Sequence, residues 1–182
     1  MKFMIASDIH GSLFYAEKLF QRFEEEKPEK MILLGDLLYH GARNDLPEGY
    51  NTKGLTALLN SYKDQLMAVR GNCDAEIDQT VLAFPIMADY LEMYVDGRRW
   101  IVTHGHVFDE KSMPAHNAGT VLLHGHTHLK VLENCGDFYY VNPGSVSIPK
   151  DEDQIRSYMI YENGVFTIKD LDGNPLKEME FS

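Results

Sequence analysis

Three short apolar runs near the start of the chain each break off in a polar motif. "KFMIAS" (2–7) runs into "DIHG", "MILL" (31–34) into "GD", and "LMAV" (66–69) into "RGNCD". Runs this short, closed by glycine and aspartate, predict buried strands rather than helices. Between them lie "LFYAEKLFQRFEEE" (13–26) and "TKGLTALLNSY" (52–62), whose apolar residues recur at helical spacing. Strand–helix alternation of this kind predicts a mostly parallel sheet built from right-handed βαβ units. Further on the pattern changes. "YLEMYVDGRRWIVTHG" reads as two strands around an Asp96-Gly97 turn, and "SYMIYENGVFTIKD" as a hairpin around Asn163-Gly164. "VLLHGH", "KVLEN" and "FYYVN" continue in strands. With no internal repeat or linker in view, the expectation is one α/β domain over 1–182, with two facing sheets and helices outside.

Bulk properties narrow the function. The chain carries 17 Lys and Arg against 28 Asp and Glu, a formal charge of −11. That balance argues against a large nucleic-acid-binding face, which needs basic patches. A small anionic substrate stays open, because bound divalent cations would reverse the field locally. No apolar run is long enough to cross a bilayer. "MKFMIASD" meets an aspartate before a signal-peptide core could form, so a cytoplasmic protein is expected. The two cysteines, Cys73 and Cys135, are expected as reduced thiols. Self-association into a homo-oligomer is compatible with all of this.

The polar residues that stand out fall at strand ends, where ligands bind in open α/β sheets. Asp8 and His10 are two apart, as are His126 and His128, so an extended chain points each pair to one side. Asp8, His10, Asp36, Asn72, His104, His126 and His128 together offer oxygen and imidazole donors with no required thiolate. That mix suits Mn, Fe, Ni, Co or Zn better than a structural tetrathiolate zinc site. Seven groups are too many for one ion that must keep an open position. They suit two ions that share a carboxylate, and Asp36 is the natural bridge. Such a pair can hold a bridging hydroxide for in-line attack on a phosphoryl group and clamp its oxygens. Singly, each motif has a bland reading: Asp-x-His after a strand is often a turn and helix cap, and Gly-Asn is often a turn. Three histidines in "HGHTH" rarely serve packing alone.

The ordered series Asp-x-His, Gly-Asp, Gly-Asn, His-Gly-His and Gly-His-Thr-His resembles the calcineurin-like metallophosphoesterases. The resemblance runs from Met1 to about "NPGSVSIP" (142–149), and "GNCD" with "HGARNDLPEGY" (40–50) is most similar to the bacterial YfcE-type phosphodiesterases. It implies a double β-sandwich flanked by helices and hydrolysis of a small phosphodiester substrate. It further implies that Asp8, His10, Asp36 and His128 hold one divalent metal, and Asp36, Asn72, His104 and His126 the other, with Mn the leading candidate. Asn72 and His104 count among the catalytic groups on this reading.

Many members place a histidine after the Gly-Asn, as a proton donor to the leaving group or a transition-state stabiliser. Here Cys73 stands on that leaving-group side. A thiol near two cations should have its pKa pulled down, and a thiolate is a poor acid. Cys73 then either touches a metal or leaves room for substrate, and leaving groups that need little protonation, such as phenoxides, are favoured. Asp74 is expected to orient a ligand or Arg70. His40, Arg43 and Asn44 follow the bridging aspartate and are candidate substrate contacts. His124 reads as structural, His106 as a neighbour of the ligands, and His116 as solvent-facing. Because imidazole must be neutral to bind metal, activity is expected to fall below roughly pH 6. The alternatives are a phosphomonoesterase, a cyclic-nucleotide phosphodiesterase, or a non-catalytic scaffold of the kind found in the eukaryotic retromer. The complete donor set disfavours the scaffold.

Overall fold

A computed structural model describes residues 1–181. β1 (Lys2–Ala6), α1 (Leu13–Glu26), β2 (Lys30–Leu33), α2 (Thr52–Ser61), β3 (Leu66–Ala68) and α3 (Glu76–Val81) form the first half. β4 (Tyr90–Val95), β5 (Arg98–Thr103), β6 (Thr120–Leu123), β7 (Lys130–Asn134) and β8 (Phe138–Pro143) follow. β9 (Ser157–Glu162), β10 (Val165–Asp170) and β11 (Pro175–Glu180) close the chain.

The local chemistry sets these boundaries. Ser12 caps α1 by accepting the Tyr15 N–H at 3.2 Å, and Lys27 ends the helix in the left-handed region. Asn51 caps α2 in the same manner through the Gly54 N–H at 3.0 Å. Asp96-Gly97 and Asn163-Gly164 both have positive φ at the two central positions, the requirement of a tight hairpin turn.

The strands form a six-stranded sheet, β11-β10-β9-β1-β2-β3, and a five-stranded sheet, β4-β5-β6-β8-β7. Both are mixed. β1, β2 and β3 are parallel, as the βαβ pattern predicts, but β9, β10 and β11 extend that sheet antiparallel. The expectation of a mostly parallel sheet is therefore corrected: the late hairpin returns to pair with β1 and outweighs the early parallel units. β11 lies beyond the strands read from sequence, because its residues are largely exposed and carry little apolar signal.

Alternation along the strands explains the layering. Phe3 and Ile5 of β1, with Ile32 and Leu34, meet Trp100, Val102, Val121 and Val141 of the other sheet in a core between the sheets. Met4, Ala6, Met31 and Leu33 point the other way and pack against Leu19, Phe20, Phe23, Leu55 and Leu59 of the helices. The Trp100 ring crosses Phe3 at 6.1 Å and Tyr161 at 4.7 Å, tying the two sheets together. No helix among the described residues is long and apolar enough to cross a membrane.

Candidate metal centre

The ends of β1, β2 and β3 from one sheet, and of β5 and β6 from the other, come together at one edge of the sandwich. Asp8 and His10 follow β1, Asp36 follows β2, Asn72 follows β3, His104 follows β5, and His126 and His128 follow β6. Nine non-glycine residues among those described have positive φ, and five of them are Asp8, His10, Asp36, His126 and His128. The left-handed backbone is uncommon for such residues and clusters at functional sites.

Close approach of the strand-end loops explains the neighbouring glycines. A Cβ on Gly125 would lie 1.8 Å from the Ser7 hydroxyl and 2.7 Å from an Asp8 carboxylate oxygen. One on Gly71 would lie 2.1 Å from Asp36 Oδ1. Side chains at either place would push the carboxylates out of position.

At the centre, Asp8 Oδ1 lies 3.2 Å from His128 Nε2 and 3.6 Å from His10 Nε2. His10 Nε2 is 3.2 Å from His128 Nε2 and 3.7 Å from Asp36 Oδ2. That same Asp36 oxygen is 3.5 Å from His104 Nε2, which in turn is 3.1 Å from Asn72 Oδ1. Asp36 Oδ2 thus faces both groups.

The other ring nitrogens are already engaged. His10 Nδ1 donates to the Tyr39 carbonyl at 2.9 Å, His104 Nδ1 to that of Leu34 at 2.6 Å, and His128 Nδ1 to that of Ile148. These bonds place the ring proton on Nδ1 and leave Nε2 with its lone pair directed inward. With the imidazoles neutral, as metal binding needs, they and the carboxylates would turn only acceptors towards one another, and Asp8 Oδ1 is buried without a hydrogen-bond partner. A cluster of acceptors lacking a donor requires cations. The residues fit divalent metals.

Without metal, protons must serve instead. Burial works against a charged His104, but Asp36 and Asp8 outweigh it and raise the pKa to about 9. His10 is raised as well, against burial, by Asp8, the Tyr39 carbonyl and Asp36. Burial opposes ionisation of Asp8 too, yet His10 and His128 hold it well below the usual carboxylate range. Asp36 is lowered in the same way, chiefly by His104.

The surrounding residues divide. His126 donates its backbone N–H to Asp8 Oδ2 at 3.0 Å and sets its ring 5.0 Å from that of His104. Its ring nitrogens are outside the closest groupings of donor atoms, Asp8–His10–His128, Asp8–Asp36–His104 and His10–Asp36–Cys73. His106 packs edge-on against His104 at 5.3 Å, and burial beside His104 lowers its pKa. His124 is buried, stacked on Tyr140 at 4.6 Å, and donates Nδ1 to the Gly125 carbonyl. His116 is exposed.

Cys73 sits half-buried beside His10 and Asp36, accepting the Asn72 amide at 3.3 Å and donating its own N–H to Asp36 Oδ1 at 2.8 Å. The sequence predicts a depressed thiol pKa from bound cations. The protein's own groups do the reverse: burial and the Asp36, Asp74 and Asp8 carboxylates push it up to about 12. Asp74 does not reach Arg70, which pairs with Asp89 at 2.6 Å. It accepts instead the backbone N–H groups of Asp36, Leu37 and Gly71 at 2.7–2.8 Å.

A cavity of about 430 Å³ opens over these groups, lined by His10, Asp36, Asn72, Cys73, His126 and His128, with Arg43, Asn44, Thr127 and Lys150 completing it. His40 is not part of this lining. Its ring stands edge-on to Tyr39 and Tyr50, and its carbonyl accepts the Asn44 side-chain amide at 2.8 Å. Thr127 lies within "HGHTH" without being singled out there, and Lys150 carries no motif of its own, so sequence offers no signal for it. A groove of similar size, about 440 Å³, is lined by Leu38, Tyr39, Tyr50, Ile77 and Val81 among others, and holds none of the converging donors.

Comparison with known proteins agrees with this geometry. Residues 1–164 match the family model described as the calcineurin-like phosphoesterase superfamily domain. The chain is 45% identical over 168 residues to phosphodiesterase YfcE of Escherichia coli K12, covering 92% of this chain and 91% of that one. The solved structure of Escherichia coli YfcE, described as a phosphoesterase, superposes with a TM-score of 0.97 at 42% identity, covering 100% of both chains. Vps29 from Entamoeba histolytica shares the fold at a TM-score of 0.64 and 18% identity, again over 100% of both chains.

Proposed function

This chain belongs to the calcineurin-like phosphoesterase superfamily, and we propose that within it the protein is a phosphodiesterase working with two divalent ions, Mn foremost. Asp8, His10, Asp36 and His128 would hold one ion, and Asp36, Asn72, His104 and His126 the other. Bound there, the ions supply Lewis acidity towards a phosphoryl oxygen and activation of water. The observation that carries the reading is the convergence of lone pairs from both sheets on a space with no donor, centred on the unpartnered Asp8 Oδ1.

The protein's own residues prepare that space. The Tyr39, Leu34 and Ile148 carbonyls hold the three imidazole rings by Nδ1 with Nε2 aimed inward, so little reorientation of the rings is needed on binding. Ser7 and the His126 N–H anchor one oxygen of Asp8 at 2.6 and 3.0 Å, leaving the other free. Arg43 and Asn44 line the same cavity and are candidate contacts to the rest of the substrate. Position 73 carries a thiol and no imidazole, so no side chain there matches an imidazolium as proton donor, and esters with acidic leaving groups are the better substrates. The likeness to the YfcE phosphodiesterase supports a diester over a monoester.

The test is hydrolysis of bis(4-nitrophenyl) phosphate by metal-stripped protein with Mn restored, beside 4-nitrophenyl phosphate. Mn-dependent turnover favouring the diester is expected. Preference for the monoester would overturn the substrate class, and no turnover with Mn, Ni, Co or Zn would favour a scaffold.

A further inference from the structure

The metal cavity is lined by two cationic side chains, Arg43 and Lys150, for which the metal chemistry by itself supplies no anionic partner. Arg43 reaches it from the loop after β2 and Lys150 from the segment after β8. Among the described residues, neither side chain has a hydrogen bond or an ion pair. The other arginines are engaged: Arg22 with Glu25, Arg70 with Asp89, Arg99 with Glu92, Arg98 over two aromatic rings, and Arg156 over Tyr15. Both side chains are exposed, and in a chain with net charge −11 two cations lining one cavity favour an anionic occupant there.

The nearby acids do not supply it. Asp151 and Asp153, just past Lys150, are both taken by the buried Lys130 ammonium at 2.6 and 2.8 Å. Glu48 accepts the Tyr15 hydroxyl at 2.7 Å. The scissile phosphate does not supply it either. Two divalent ions against the Asp8 and Asp36 carboxylates leave the floor positive, enough for the single charge of a phosphodiester. Arg43 and Lys150 then remain for something else.

Space exists for it. A second cavity of about 430 Å³ adjoins the first, sharing Arg43 and Asn44, and is lined by Asp45, Glu48, Gln154 and Arg156 among others. Its charges are mixed, so it suits a polar extension rather than a further anion. The anionic group belongs in the first cavity, which both Arg43 and Lys150 line.

We propose that the substrate is a phosphodiester with a second anionic group, carboxylate or phosphate, on the arm that stays beside Arg43 and Lys150 in the metal cavity. This rests on the phosphodiesterase reading and narrows it to a substrate class. Arg43 and Lys150 act as specificity residues, recognising charge through charge-assisted hydrogen bonds.

The test holds the leaving group constant. The 4-nitrophenyl diesters of methanol, 3-hydroxypropionate and 2-hydroxyethylphosphonate are compared with Mn-loaded enzyme. At least a tenfold higher kcat/KM is expected for one or both charged arms, and which arm gains more separates carboxylate from phosphate. In Arg43→Gln and Lys150→Gln the ratio to the methyl ester should fall towards one, and Arg43→Lys should keep most of it. In parallel, the methyl and 2-carboxyethyl monoesters of methylphosphonic acid are titrated by calorimetry into the same proteins. Wild type should bind the dianion at least tenfold more tightly, and the neutralised variants should bind the two alike. Equal turnover and equal binding in wild type would overturn the inference while leaving the phosphodiesterase intact. A preference that survives both neutralised variants would also overturn it. If none of the esters turns over, the phosphodiesterase reading fails and the titrations alone decide the inference.

Discussion

Removing the Asp74 carboxylate should loosen the site from beneath, and the cost can be worked from its bonds. One oxygen accepts the N–H groups of Asp36 and Gly71, and the other that of Leu37. In Asp74→Ala three buried amides lose their acceptor, at roughly 1–3 kcal/mol each. Water entering the vacated space recovers part of that, leaving about 4 kcal/mol of expected destabilisation. Asp74→Asn keeps the shape. Its amide oxygen can serve two of the donors, but its NH₂ then meets the third donor-to-donor. Loss of the charge returns something, because burial and the nearby Asp36 already raise the Asp74 pKa. The net expectation for Asn is about 2 kcal/mol. Denaturant unfolding of metal-free protein measures both, with an unchanged m-value expected. Because the bonds hold the backbone of Asp36, Mn affinity by calorimetry should fall at least tenfold in each variant. A cost below about 1 kcal/mol for Ala would refute the accounting. Lost stability with undiminished Mn affinity would refute the link to Asp36.

The remaining predictions concern protons and the thiol. Metal must displace protons from His10 and His104, so Mn affinity should rise with pH up to about 9, and Mn binding near neutrality should release protons that a pH-stat can count. Zero release would contradict the raised pKa values. In the metal-free protein the His104 contribution to stability is fully present below the unfolded value near 6.5 and is lost as pH rises through about 9. Thermal unfolding with chelator should therefore show Tm falling across that window, and a rising Tm would count against it. Cys73, with its thiol near 12, should alkylate at least tenfold more slowly than the exposed Cys135 when iodoacetamide is added at pH 8 without metal, read by peptide mass spectrometry. Equal rates would show that the carboxylates do not control it.

The boundaries of α1 and the two glycine turns were legible because each has a local cause: a Ser12 cap, an Asp96-Gly97 pair, an Asn163-Gly164 pair. Asp8, His10, Asp36, His104 and His128 were legible for a different reason. Each follows an apolar run directly, and the strands carry them to one edge. What sequence could not show depends on contacts across the sandwich. His40 sits next to the right loop, yet its ring turns to Tyr39 and Tyr50. Lys150 lies outside every motif, and its backbone N–H donates to the His128 carbonyl at 3.3 Å beside the cavity it lines. The Cys73 thiol depends on carboxylates from three separate segments, which local spacing cannot reveal.

The two-sheet origin of the metal centre also sets its place in the order of assembly. Its donors begin at Asp8 and end at His128, and His128 is held by a carbonyl as late as Ile148. β1, which carries the first donors, gains its second neighbour only when β9 arrives. A chain emerging from the ribosome therefore has most of its length exposed before the last donors can meet the first. Metal cannot seed this fold as zinc seeds a small finger. A metal ion held by these donors would bind once the two sheets have closed and would then tie them together across their seam.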